Sequence, residues 1–135
     1  MLALDTNVLI AFQKRDLLVR ARYAQAVSTG EQITVPSLVR YEARKELQNP
    51  LYERRLRFLD ALLDLHPTLE LDALTVDTAV LLMERLKQDG NVITDADVLI
   101  SATALRFGAI LVTNNTRHFN RIPGLNSIDW QKENL

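Results

Sequence analysis

Short β-rich runs alternate with segments of helical spacing along this 135-residue chain. The clearest strand candidates are LAL at 2–4, ITV at 33–35 and AILV at 109–112, with weaker candidates at 69–71 and 127–130. Between them, apolar residues recur three or four positions apart, which is the spacing of a helix face. Strands that alternate with helices favour βαβ units. We therefore predict an α/β fold built on a central parallel sheet.

Helical spacing predicts helices over 17–27, 51–65 and 76–86. The stretch 36–66 is predicted to be mostly two consecutive helices, broken near Asn49–Pro50, since proline interrupts a helix. This pair is rich in leucine and has a basic side. It resembles a clip that serves as a protein interface, although a plain two-helix cover for the sheet remains open.

Composition predicts one domain over residues 1–135. Apolar residues make up 47% and charged residues 24%, which is ordinary for a globular protein. The absence of cysteine excludes disulfides, thiolate metal sites and a cysteine nucleophile. We interpret His66 and His118 as surface or packed residues. No apolar run is long enough for a membrane span and no signal-peptide pattern is present, so we expect a cytoplasmic protein without a membrane partner.

The net charge of −1 conceals an asymmetry. Residues 1–60 hold ten basic and seven acidic residues, whereas residues 61–135 hold six basic and ten acidic ones. The first part would present a local basic face to a phosphate backbone. Alternatively, these arginines are simply solvated on exposed helix faces.

Polar residues follow the predicted strands or open the helices behind them. Asp5 comes directly after LAL, segment 113–115 follows AILV, and Glu42 lies on the helix after ITV. Asp95 and Asp97 open the helix DADVLISATALRF. Ligands of an open parallel sheet bind outside the carboxyl ends of its strands, so these residues are candidates for one site.

Structural roles are open for two of these acids. Asp5 would serve as the N-cap of a helix that begins near Thr6. Asp97 stands three residues after Thr94, as in a capping box, although Asp95 could itself be the cap. Glu42 is harder to explain, because it shares the helix face that Val39 would bury. It needs a partner there: solvent at the helix end, an arginine or lysine, or a cation.

Carboxylates combined with amide, hydroxyl and water oxygens form a site suited to Mg²⁺ or Mn²⁺. Such an ion lowers the pKa of bound water and neutralises charge on a phosphate. Neither a glycine-rich phosphate loop nor a G-x-S-x-G elbow is present. The pattern therefore indicates phosphodiester hydrolysis.

Four blocks in this order resemble a PIN-domain protein of the VapC toxin family: LDTNVLI, YEARKEL, TDADVLISATAL and ILVTNNTRHFNRIPGL. The resemblance spans essentially the whole chain. It implies a three-layer α/β/α fold with a helical-pair clip at about 36–66. It also implies a Mg²⁺-dependent or Mn²⁺-dependent endoribonuclease, the toxin of a type II toxin–antitoxin system. Such a toxin cleaves structured RNA such as tRNA or rRNA at a single-stranded loop, forms a homodimer and is inhibited by a VapB-like antitoxin.

The resemblance also implies site residues. Asp5, Glu42 and Asp97 match the family's first, second and third acids, which are catalytic and bind the metal. Asp97 matches rather than Asp95, because it directly precedes the apolar run VLISA. Asp95 would lie about 200° around the helix from it.

Position 115 departs from the family pattern, because many PIN nucleases place a fourth aspartate where this chain has Asn115. A neutral amide there makes a second metal ion less favourable. Thr113 and Asn115 would still orient water or an oxygen bound to the metal. The alternative function is a non-catalytic PIN-like module that binds RNA or a partner. A phospho-acceptor domain of the response-regulator type fits less well, since an asparagine-rich block stands where that fold needs a lysine.

Overall fold

A computed structural model describes residues 1–132, so the last three positions of the predicted domain, 133–135, lie outside the described residues. Its centre is a five-stranded sheet with the order β3-β2-β1-β4-β5, in which every neighbouring pair is parallel. The strands are β1 (Leu2–Leu4), β2 (Ile33–Pro36), β3 (Thr68–Leu69), β4 (Ile110–Val112) and β5 (Ser127–Ile128). The flanking helices are α1 (Thr6–Gln13), α2 (Leu17–Ser28), α3 (Ser37–Lys45), α4 (Glu53–Asp64), α5 (Ala73–Gln88), α6 (Asp95–Phe107) and α7 (Thr116–Phe119).

The first strand of the chain occupies the middle of the sheet. Leu2 pairs with Ile33 on one side and with Ile110 on the other. All three residues of β1 are buried, which is expected when helices cover both faces of a parallel sheet. The predicted three-layer α/β/α fold is thus confirmed, and the carboxyl end of β1 lies between those of β2 and β4.

The elements that were predicted differ from the observed ones at their ends, and one short helix was missed. The weak edge strands are shorter than predicted, with β3 at Thr68–Leu69 and β5 at Ser127–Ile128. The third predicted helix begins earlier, at Ala73, because Asp72 caps it by accepting a hydrogen bond from Thr75 N over 2.9 Å. The short helix α7 was not predicted, since four residues carry no periodic signal.

The predicted helical clip consists of α3 and α4, joined by a turn of 3-10 helix at Pro50–Tyr52. The break near Asn49–Pro50 is confirmed. An ion pair connects the two helices, with Arg44 Nε 2.8 Å from Asp60 Oδ1. Leu59 and Leu63 of α4 are fully buried, so the clip packs on the core and is not an isolated hairpin.

Helix α6 runs from residue 95 to residue 107, as predicted, and it is the most buried helix of the molecule. Its cap is the hydroxyl of Thr94, which accepts a hydrogen bond from Asp97 N over 3.2 Å. It ends at Gly108, whose φ of 66° is the left-handed conformation that favours glycine at this position. Within residues 1–132, no helix combines the length and the apolar character needed to cross a bilayer.

Candidate active site

Asp5 lies at the carboxyl end of the central strand and is 5% exposed. Its Oδ1 accepts a hydrogen bond from Thr6 N over 2.8 Å, so it caps helix α1. Its Oδ2 points toward the neighbouring strand β4. Oδ1 therefore caps the helix, whereas Oδ2 faces the other site residues. The capping role and a metal-ligand role are thus compatible.

Thr113 brings the second strand to the same point. It is fully buried, and its hydroxyl donates to Asp5 Oδ2 over 2.9 Å. Asn7 Nδ2 lies 3.3 Å from the same carboxyl oxygen, and Asn7 Oδ1 accepts from Asn114 N over 3.2 Å. These bonds fix the start of α1 against the residues that follow β4.

Asn115 contributes through its backbone. Its N–H donates to the Thr113 hydroxyl over 3.1 Å, and its carbonyl accepts the N–H groups of His118 and Phe119 at the start of α7. The residue is exposed, and its side chain makes no hydrogen bond within residues 1–132. The structure thus brings Asn115 to the site without a fixed orientation of its amide.

Glu42 reaches the site from the clip. Its Oε1 accepts a hydrogen bond from the hydroxyl of Thr6 over 2.8 Å, which links α3 to the first residue of α1. The side chain is half-buried, as expected from the face it shares with Val39. The sequence predicts that Glu42 needs a polar or cationic partner. In the structure this partner is the neutral hydroxyl of Thr6, the residue that follows Asp5.

Asp97 reaches the site from the first turn of α6. Its Oδ2 lies 3.0 Å from His118 Nε2, and both side chains are mostly buried. His118 belongs to α7, directly behind the segment that contains Thr113 and Asn115. The sequence predicts only a surface or packed residue at position 118. It carries no spacing signal for this contact, which joins residues 21 positions apart.

Asp95 does not join this group. It is exposed and faces a groove between α5 and α6, together with Val98 and Leu99. Its separation from Asp97 follows from the helical rotation of about 200° between positions two residues apart. Asp95 therefore offers a matched control for Asp97.

The surroundings of Asp5 raise the pKa of its carboxyl group. Burial raises the pKa of its carboxyl above the ordinary value, and the negative charges of Asp97 and Glu42 raise it further. The hydrogen bonds from Thr113 and Thr6 act in the opposite direction but do not cancel the effect. A buried carboxylate repelled by two others is costly, and a bound cation would relieve that cost.

The donor chemistry fits a hard divalent cation, because the site offers carboxylate, hydroxyl and amide oxygens. Within residues 1–132, however, no three acidic or histidine side chains are arranged to hold one metal ion. Glu42 and Asp97 instead engage Thr6 and His118. The three acids thus surround one strand end, and each of them hydrogen-bonds to a nearby side chain.

Relatives agree with this fold and with the sequence resemblance. Residues 2–125 match the family model of the PIN domain. The chain is 32% identical over 130 residues to the tRNA(fMet)-specific endonuclease VapC of Shigella flexneri, covering 94% of this chain and 96% of that protein. It is 30% identical over 125 residues to ribonuclease VapC19 of Mycobacterium tuberculosis, covering 90% and 94%.

Solved structures are similar over nearly the same length. One is VapBC2 from Rickettsia felis bound to a DNA fragment from their promoter, with a TM-score of 0.86, 25% identity and coverage of 96% of this chain and 98% of that one. Another is DNA-bound VapBC from Salmonella typhimurium, with a TM-score of 0.86, 27% identity and coverage of 96% and 97%.

Proposed function

Because this chain belongs to the VapC family of PIN-domain ribonucleases, toxins of toxin–antitoxin systems, we propose that it is a metal-dependent endoribonuclease. Its target would be structured RNA such as tRNA or rRNA, cleaved at a single-stranded loop. The substrate class is supported by the relative that is named for initiator tRNA. Such RNAs occur in the cytoplasm, and we propose that the protein acts there.

The observation that carries this proposal is the position of the acids around the end of β1. Burial raises the pKa of Asp5, and the negative charges of Asp97 and Glu42 raise it further. A structural carboxylate is usually paired with a cationic side chain, whereas within residues 1–132 neither Asp5 nor Glu42 forms a salt bridge and Asp97 contacts only the imidazole of His118. Carboxylates without such a partner are expected when a bound cation neutralises them.

We propose that Asp5, Glu42 and Asp97 hold Mg²⁺ or Mn²⁺. When bound, the cation would activate water and neutralise charge that grows on the phosphate. Thr113 would keep Oδ2 of Asp5 in place, and Asn7 would brace the same oxygen. Asn115 would orient water through its free amide. His118 would position the Asp97 carboxylate through the bond it already makes.

The decisive experiment maps cleavage sites on total RNA with Mg²⁺ and with EDTA. We expect Asp5→Asn and Asp97→Asn each to reduce cleavage by about 100-fold or more, since even residues that merely support metal ligands are worth 10–100-fold. Asp95→Asn is the matched control, because it removes an acid from the same helical turn. Since Asp95 lines the groove between α5 and α6, light scattering first checks that this variant keeps the oligomeric state of the wild type. Full activity of Asp97→Asn, or equal losses in both variants, would contradict the assignment.

The alternative, a non-catalytic RNA-binding or partner-binding module, is favoured by two observations. No preformed group of three metal ligands exists within residues 1–132, and position 115 carries a neutral amide. This alternative predicts RNA binding that is unchanged by EDTA, without cleavage by the wild type. The same mapping experiment therefore separates the two functions.

We propose a VapB-like antitoxin as the protein partner, supported by the VapBC complexes among the similar structures. The clip offers exposed apolar side chains for it, including Tyr41, Leu51 and Leu65. Co-expression with an adjacent small gene product, followed by purification of a complex that does not cleave RNA, would test this partner.

We propose a homodimer formed through the groove between α5 and α6. This groove has a volume of about 520 Å³ and includes Val80 and Leu81, which are 64% and 74% exposed. Such exposed apolar residues are typical of an interface. Val80→Asp combined with Leu81→Asp should convert a dimer to a monomer in light scattering. Leu17→Asp, an equally exposed position on α2, should not.

A further inference from the structure

Four arginines surround a small cavity on the surface where the turn between α1 and α2 meets the start of α4. The cavity has a volume of about 240 Å³. We call it the arginine pocket, and it is lined by Gln13, Arg15, Arg20, Arg54, Arg55 and Phe58. Within residues 1–132, no carboxylate lies within salt-bridge distance of these four arginines. The cluster is therefore a concentration of positive charge without internal neutralisation.

One of these arginines is held in a fixed orientation. The guanidinium carbon of Arg20 lies 4.8 Å from the ring centre of Phe12 and 5.7 Å from that of Phe58. Its Nε donates to the carbonyl oxygen of Phe12 over 2.9 Å. Stacking and hydrogen bonding together preorganise the guanidinium, which reduces the entropy lost when it binds a ligand.

The placement of the other arginines opposes local stability. Arg54 and Arg55 lie in the first turn of α4, where the helix dipole disfavours positive charge. Arg15 has a φ of 60°, the left-handed conformation that costs a non-glycine residue about 1–2 kcal/mol. Arg55 gains one local contact, because its guanidinium carbon lies 5.5 Å from the ring centre of Tyr52. Residues held in locally unfavourable positions are concentrated at functional sites. The pocket therefore resembles a binding site for an anion more than a solvated surface.

Helix α1 connects this pocket to the acids. It begins at Thr6, which contacts Glu42, and ends at Gln13, which lines the pocket. Its eight residues correspond to about 12 Å at the usual rise of 1.5 Å per residue. A few nucleotides of extended RNA span such a distance.

We propose that the arginine pocket binds a backbone phosphate of single-stranded RNA, a few nucleotides from the bond that is cleaved at the acids. Guanidinium groups match phosphate oxygens in paired hydrogen bonds. Phe58 stacks on Phe12, with ring centres 6.0 Å apart, but remains 44% exposed, and its exposed part would contact a base. Aromatic rings beside cationic groups are typical of single-strand binding sites. This inference rests on the proposed ribonuclease function and assigns one of its substrate contacts.

The test measures binding directly, so that it does not depend on cleavage. In the Asp5→Asn background, a fluorescein-labelled 12-nucleotide oligouridylate is titrated by anisotropy at several salt concentrations. Arg54→Gln combined with Arg55→Gln should weaken binding about tenfold and reduce the salt slope by about 1–2. The control is Arg85→Gln with Arg106→Gln, which removes the same charge from α5 and α6 and should change the slope less.

Thermal unfolding checks the fold of the double variant. For Arg54→Gln combined with Arg55→Gln, the melting temperature should stay close to that of the parent. The variant removes two unfavourable charges from the first turn of α4 but also the contact of Arg55 with the Tyr52 ring. A second titration uses a decaglutamate peptide. Unchanged affinity for the oligouridylate overturns the proposal, and a loss confined to the peptide overturns it in favour of an acidic protein partner.

Steady-state kinetics test the phosphate contact separately from the ribonuclease function. For a 12-nucleotide substrate around the mapped cleavage site, the double variant should raise KM about tenfold with little change in kcat. A four-nucleotide substrate should show a much smaller difference. If the wild type cleaves no RNA but the double variant still loses oligouridylate binding selectively, the nuclease proposal fails and the pocket assignment stands.

Discussion

The hydroxyl of Thr113 donates a hydrogen bond to Oδ2 of Asp5 over 2.9 Å, although 108 positions separate the two residues. Strands β1 and β4 are neighbours, so their carboxyl ends bring one carboxylate and one hydroxyl to the same buried point. This contact is the structural centre of the candidate site, and the stability of the protein should respond to it.

Thr113→Val tests this hydrogen bond with little change in shape. It removes a donor to Asp5 and an acceptor for Asn115 N, so we expect a loss of about 1–3 kcal/mol in unfolding free energy. Thr113→Ser keeps the hydroxyl and should lose only about 1 kcal/mol, the value of one buried methyl group. Urea denaturation measures both. Unchanged stability of Thr113→Val would mean that the hydroxyl contributes nothing.

Asp5→Asn should stabilise the protein in EDTA while abolishing cleavage. The pKa of Asp5 is raised in the folded state, chiefly by burial. Its contribution to stability is therefore fully present below the unfolded pKa and is lost as pH rises through the folded one. At neutral pH the ionised carboxylate opposes folding, so the variant should have the higher melting temperature, and the difference should shrink below pH 4.

Asp16→Asn is the matched control, because Asp16 caps α2 as Asp5 caps α1. Hydrogen bonds from Gln131 and Val19 N lower the pKa of Asp16, so its charge supports the folded state above the unfolded pKa. This variant should lower the melting temperature at pH 7. A decrease in both variants would contradict the view that Asp5 is destabilising.

His66 should make the protein less stable in mild acid. Burial lowers the pKa of its imidazole, whose Nε2 lies 2.6 Å from Tyr23 Oη. As pH falls below about 6.5, the unfolded chain takes up a proton before the folded one does, so the unfolding free energy decreases until the folded pKa is reached. Denaturation between pH 5 and 7 should show this slope in the wild type and a smaller one in His66→Gln. An unchanged slope would rule out His66 as its source.

Ser101→Ala should leave stability unchanged or raise it by up to about 1 kcal/mol. The hydroxyl of Ser101 is fully buried in α6 and has no hydrogen-bond partner within the described part of the chain. Alanine removes an unsatisfied polar atom and is the better helix former. Thr103→Val in the same helix is the comparison, because the Thr103 hydroxyl bonds to the carbonyl of Leu99 over 2.8 Å. A larger loss for Ser101→Ala than for Thr103→Val would show that the Ser101 hydroxyl is satisfied in solution.

Patterns that depend on neighbours in the sequence were predicted well. Helix α6 is bounded by the Thr94 cap and by Gly108, and both signals are local. Strands β1, β2 and β4 were predicted because each is a short apolar run, which is typical of a strand covered by helices on both faces of a sheet. The edge strands β3 and β5 are only two residues long, so their ends depend on pairing that the sequence does not display.

The sequence predicted which acids belong to the candidate site but not which side chains they contact. The positions of Asp5, Glu42 and Asp97 at one strand end follow from parallel topology and from the family resemblance, which the PIN-domain match confirms. Their roles in catalysis and metal binding stay predictions. The contact between His118 and Asp97 was missed because it depends on the short helix α7, and the hydrogen bond from Thr6 to Glu42 depends on how the clip packs on α1.

The long separation between Asp5 and Thr113 also determines when the candidate site can assemble during translation. Domains fold progressively as the nascent chain leaves the ribosome, at roughly 5–20 residues per second. The central strand emerges first, yet its partner β4 and the histidine of α7 follow only after more than a hundred further residues. A chain that has not yet exposed β4 therefore lacks the Thr113 hydroxyl that holds Asp5, and the candidate site is completed only near the end of synthesis.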